Sequence, residues 1–62
     1  MIKTNVTKGN KRVTVMEKNG MVILTPQYRF NGVWIIMNNQ YEISTDEMTF
    51  GAALATVYTA ME

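Results

Sequence analysis

Polar and apolar residues alternate along most of the first 44 positions, and then the period changes. Runs rich in Val, Ile, Thr and aromatic residues fall within 12–18, 21–30, 33–38 and 41–45, with a shorter run within 2–7. Two-residue alternation of this composition predicts strands. Asn19-Gly20 and Asn31-Gly32 separate the middle runs. Both residues of Asn-Gly tolerate the positive φ that a type I′ hairpin turn requires. Lys8-Gly9-Asn10 and Asn38-Asn39-Gln40-Tyr41 are two further expected reversals. Pro26 interrupts the longest run and must lie at a bulge, at an edge, or where its missing N–H costs nothing.

After residue 45 the spacing becomes helical. Phe50, Ala53, Leu54, Val57, Tyr58 and Met61 repeat at three- and four-residue intervals, the signature of one helix face. Ser44-x-x-Glu47 fits a capping box, with Thr49 as a rival N-cap, so the helix is expected to begin at 46 or 49 and run to 61. The opposite helix face, Met48, Ala52, Ala55, Thr56 and Thr59, is small and uncharged. The chain therefore reads as one domain over 1–62, an α+β fold in which a four- or five-stranded antiparallel meander is followed by one C-terminal helix packed on one sheet face.

The Asn-Gly loops also predict which side chains share a face, because successive strand residues point to opposite sides. One face gathers Val13, Val15, Val22, Leu24, Pro26, Tyr28, Phe30, Val33, Ile35 and Met37, and is expected to receive the helix. The other gathers Arg12, Met16, Lys18, Met21 and Ile23, and continues through Arg29, Trp34 and Ile36. A reversal at Asn39-Gln40 would pair Ile36 with Ile43, adding Tyr41 and Ile43 to this second face. A single helix cannot cover both sides. These ten residues are the candidate partner-binding set, since large apolar patches on soluble proteins mark interaction sites. Arg29 stacking on Trp34 is the expected anchor.

Charge sharpens the picture. The first 29 residues hold six bases against Glu17 alone, a formal +5, whereas residues 30–62 hold Glu42, Asp46, Glu47 and Glu62 and no base, a formal −4. Such polarity would allow salt-sensitive head-to-tail association. With no Cys and no His, the chain lacks a disulfide, the usual zinc and haem ligands and the commonest catalytic base. No enzyme activity, cofactor, metal or small-molecule substrate is expected. The four glycines form no phosphate-cradling loop. No apolar run is long enough for a membrane span or a secretion signal, so a cytoplasmic protein without membrane contact is expected.

The expected function is a non-catalytic protein-binding module, self-associating or docking on a larger protein. In size and in lacking cysteine the chain resembles small accessory proteins of bacteriophages and mobile elements, many of which are inhibitors. The alternative is nucleic-acid binding through the second face. A three-stranded sheet backed by one helix resembles the DNA-binding domain of phage-type integrases, which would imply that Arg12, Lys18 and Arg29 contact DNA while Trp34 and Tyr41 stack. The pI of about 8.1 is below that of dedicated nucleic-acid binders.

Overall fold

A computed structural model of the chain describes residues 1–37 and 40–62. Five antiparallel strands, β1 (Ile2–Lys8), β2 (Lys11–Lys18), β3 (Met21–Phe30), β4 (Val33–Ile36) and β5 (Tyr41–Ser44), precede one helix, α1 (Phe50–Ala60). The strands form one sheet in the order β1-β2-β3-β4, with β5 also pairing β3. Both Asn-Gly turns adopt the conformation that their chemistry predicts. Asn19 and Asn31 have φ of 53° and 51°, and Gly20 and Gly32 have 74° and 78°. These turns set the registers Lys18↔Met21 and Phe30↔Val33, as expected of two-residue loops.

The fifth strand departs from expectation. The expected reversal at Asn38–Tyr41 includes Asn38 and Asn39, which lie outside the described residues, but its consequence can be tested. A β4–β5 hairpin would pair Ile36 with Ile43. Instead β4 and β5 run in the same direction along one edge of β3, with Gln27↔Ile36 followed by Leu24↔Tyr41. The register shifts by two residues between them, and an even shift keeps odd-numbered residues on the same face. Tyr41 and Ile43 therefore lie on the helix side, paired with Leu24 and Val22, not on the second face where the sequence reading put them.

Pro26 explains where the register shift occurs. Its carbonyl accepts from the Met37 N–H at 3.0 Å, so its backbone polar groups are aimed at the β4–β5 edge. The N–H that proline lacks would point at the junction between the two strands. A proline inside a central strand is tolerated there because no ladder bond is demanded of it. The pairing of β2 with β3 continues through Val13↔Pro26 without a break, so the face assignments of both strands hold along their full lengths.

The helix begins at Thr49, whose hydroxyl accepts from the Ala52 N–H at 3.1 Å. Ser44 and Glu47 do not cap it. Ser44 instead closes a tight turn, its hydroxyl accepting from Asp46 N–H at 3.2 Å and its carbonyl from Glu47 and Met48 N–H. The Thr45 N–H donates to Gly20 O at 2.9 Å, which starts α1 beside the β2–β3 turn. Its far end reaches the β1–β2 turn, where Met61 and Glu62 adjoin Lys8 and Lys11.

Along this diagonal α1 packs chiefly on β2. The core consists of Val6, Val15 and Val22 under Ala53 and Val57, flanked by Val13, Leu24, Met48, Phe50, Leu54 and Met61. Tyr58 falls outside it and is exposed. The outer helix residues Ala52, Ala55, Thr56 and Thr59 are also exposed. The hydroxyls of Thr56 and Thr59 bond back to the carbonyls of Ala52 and Ala55 at 2.9 and 3.1 Å, so this face presents mainly methyl groups.

Candidate functional site

Eleven helical residues span about 16 Å, whereas the ten residues of β3 span about 33 Å. Running diagonally along β2 from the β2–β3 turn towards the β1–β2 turn, the helix covers only the half of its side of the sheet that carries Val6, Val15 and Val22. The other half, expected to lie beneath α1, is bare. Tyr28 (39 % exposed), Phe30 (61 %), Val33 (60 %) and Ile35 (36 %) are joined by Met37 and Tyr41 as exposed apolar residues. The pairs Phe30↔Val33 and Tyr28↔Ile35 make the patch contiguous. Three aromatic rings alone supply roughly 300 Å² of it, taking about 200 Å² for a whole aromatic side chain. With the aliphatic residues it enters the range of about 300–600 Å² in which the largest patch on a monomer is often functional.

On the reverse side the register gathers eight of the ten candidate residues: Arg12, Met16, Lys18, Met21, Ile23, Arg29, Trp34 and Ile36. No element covers this side among the described residues, as the sequence reading expected, but its centre is polar. Gln27 is buried there although no helix lies above it, because its neighbours fold over it. Its side-chain oxygen accepts from Arg12 Nε at 2.9 Å and from Arg12 Nη2. Its amide donates to the Thr14 hydroxyl at 2.7 Å and to the Thr25 carbonyl at 3.1 Å. Thr14 in turn donates to Asn5 Oδ1 at 2.8 Å. Every hydrogen-bonding position of Gln27 is filled, as a buried amide requires.

This network decides what stacks on Trp34. The Arg12 guanidinium, held by Gln27, lies 4.4 Å from the Trp34 ring centroid. The expected Arg29–Trp34 stack is thus replaced by Arg12–Trp34. Arg29, although directly opposite Trp34, is exposed and has no side-chain anchor of this kind. The sequence places Gln27 on this face but gives no reason to count it among the candidate residues; its signal is that it sits opposite Arg12 in the hairpin register and is the only amide in β3. The network floors a shallow concavity of about 500 Å³ that Trp34, Met16 and Ile36 also line.

Chemically the reverse side offers a fixed, half-buried indole beside a saturated polar cluster. Trp34 and Tyr41 lie on opposite faces, so together they cannot form one stacking platform. The charges are also divided in space. Lys8, Lys11 and Arg29 lie towards the β1–β2 turn and Glu17, Glu42, Asp46 and Glu47 towards the β2–β3 turn, but Lys3 and Lys18 lie at the acidic end and Glu62 adjoins Lys8 and Lys11, so the division is only partial. Among the described residues, no three His, Cys, Asp or Glu side chains group to hold a metal, and no helix is long and apolar enough to cross a membrane. No family model, curated protein or solved structure matches the chain.

Proposed function

We propose that this chain is a non-catalytic protein-binding module whose contact surface is the β3–β4 hairpin. One observation carries the reading. The hairpin is apolar on its helix side, with Tyr28, Phe30, Val33 and Ile35, and on the reverse its β4 strand adds Trp34 and Ile36 opposite Arg29 and Gln27; of the six apolar residues all but Trp34 are exposed. Aromatic side chains concentrated in this way are the residue types that dominate binding energy at interfaces.

A photoreactive amino acid placed at Phe30 tests the reading against the same group at Thr7, an exposed position on β1. Expected is a protein adduct from position 30 that survives nuclease treatment and is absent from position 7. Equal labelling from both positions, or none from either, would remove the proposal.

A further inference from the structure

The geometry points to a second copy of this chain as the partner, joined through the outer edge of β4 by antiparallel strand pairing about a two-fold axis at Ile35. The inference rests on the hairpin being the contact surface, and adds which edge, which register and which occupant.

The backbone of β4 leaves one edge open. Residues flanking a two-residue hairpin loop exchange hydrogen bonds, and bonded pairs then alternate with non-bonded ones. Phe30↔Val33 and Tyr28↔Ile35 are accordingly bonded pairs, and the Met37 N–H on Pro26 O continues the series. Arg29↔Trp34 and Gln27↔Ile36 are the non-bonded pairs. Arg29 confirms the alternation by sending its N–H the other way, to Asn10 O at 2.8 Å. Trp34 and Ile36 therefore direct their N–H and C=O groups away from the sheet. Among the described residues no strand pairs with them.

Two copies can satisfy these groups in only a few registers. In a continuous antiparallel sheet, residues opposite one another must lie on the same face, so Trp34 must meet Trp34 or Ile36 of the other copy. Pairing Trp34 with Ile36 in both directions uses all four outward groups of each chain, giving four hydrogen bonds. Ile35 then faces its own mate on the axis, with Val33 opposite Met37. Every side chain at the junction is apolar on both faces.

Charge selects a second copy over a foreign partner. Residues 30–41 contain no charged side chain. At a two-fold axis each residue meets itself, so a charge there would meet its like, which is destabilising for residues directly opposite. A charge-free strand fits such an axis and offers nothing for a foreign partner's charge to complement. The opposite edge of the sheet is built differently. β1 carries Lys3 and Lys8 among Thr4, Asn5 and Thr7, the lysine-guarded type that resists strand addition. The helices do not obstruct the pairing. Five strand spacings separate one β2 from the other, about 24 Å, so the two α1 helices stand well apart on the same side.

The contact is small, below the roughly 1,200 Å² that separates weak from standard interfaces, so the expected dimer dissociates in the micromolar range. Sedimentation of the whole chain from micromolar to millimolar concentration should give twice the 7.1 kDa chain mass at the upper end and the monomer on dilution. Ile35→Lys sets two ammonium groups against each other on the axis and should weaken the dimer about a hundredfold or more. Ile36→Pro deletes an outward N–H while leaving the β3 ladder whole, and should also give monomer, with circular dichroism showing that the sheet persists. Mixing Ile35→Lys with Ile35→Glu chains should restore a dimer, which a misfolded variant could not do. A dimer indifferent to both substitutions would overturn this edge. A monomer at every concentration, with Phe30 crosslinking only to another protein, would overturn self-pairing and leave the binding-module reading standing. Absence of any adduct would end both.

Discussion

Replacing Gln27 by Met keeps the length of the side chain and removes all of its hydrogen bonds. The consequences differ among its partners. Arg12 is only half-buried, so water can replace the lost acceptor and little stability is forfeited there. Thr14 and Thr25 are both 9 % exposed, and the Thr14 hydroxyl and Thr25 carbonyl each lose a donor. Leaving a buried polar group unsatisfied costs about 1–3 kcal/mol, but Thr14 keeps its bond to Asn5 and the Thr25 carbonyl keeps its ladder bond to β2, since Thr14↔Thr25 is a bonded pair, so the cost stays in the lower part of that range. The net expectation is therefore a destabilisation of about 1–2 kcal/mol. In a domain of this size each kcal/mol lowers the melting temperature by about 4–8 °C, so Gln27→Met should melt about 5–15 °C lower. Reversible thermal unfolding followed by circular dichroism measures this directly. Trp34 emission should shift to the red in the same variant, because Arg12 loses the oxygen that holds it over the ring. An Arg12→Met, Gln27→Met double-mutant cycle should give a small coupling, about 0.5 kcal/mol, at the low end for a hydrogen bond that water can replace. A melting temperature within about 2 °C of the parent, with unchanged emission, would refute the claim that this network organises the reverse face.

Four further substitutions test the fold. Val15 is wholly buried beneath α1, so Val15→Ala should cost about 2–3 kcal/mol from lost burial plus the cavity left behind, a large part of the roughly 3–9 kcal/mol expected for 62 residues, measurable by urea denaturation. Thr49→Ala should cost about 1 kcal/mol as the loss of a helix cap, and Glu47→Ala less than half as much, since Glu47 makes no capping bond; equal effects in denaturation would mean that the cap is misassigned. Pro26→Ala adds an N–H that faces the β4–β5 junction and restores freedom to the unfolded chain, so it should cost only about 0.4–1 kcal/mol with the amide chemical shifts of β2 unchanged.

Most of the sheet was legible because Asn-Gly does two things at once. It marks a turn, and by fixing a two-residue loop it fixes every pair that follows. All eight β2–β3 pairs and the four β3–β4 pairs descend from those dipeptides. Asn38-Asn39-Gln40 carries no comparable constraint, and a local reading cannot separate a reversal from a strand that continues after a register shift. The deciding fact is not local. β3 is ten residues long and β4 only four, so a β4–β5 hairpin would leave most of one β3 edge unpaired. Continuing along β3 satisfies that edge and sets the register shift opposite Pro26. The partial cover over the helix side was also open to arithmetic, since the periodic segment is half as long as the strand it must shield. The Arg12–Trp34 stack was not legible, because it depends on Gln27 holding a guanidinium across an intervening strand.

These departures from the sequence reading share a cause and bear on function. A helix that leaned towards β3 would have covered Tyr28 and Ile35 and exposed Val6. It leans instead towards β1, where Tyr58 and Met61 adjoin Val6 and Lys8, and the β3–β4 hairpin extends beyond it. Because β5 lies against the other half of β3, it does not shield the outer edge of β4. The hairpin is thus held by its own ladder and by β2 alone, with apolar side chains on both faces and an open edge. A 62-residue chain without disulfides has little apolar area to spare from its core, yet this one keeps a Trp, two Ile, a Phe and a Val outside it. Burial of those side chains against a partner would add to the small core, so association through this hairpin and stability of the fold are expected to rise and fall together.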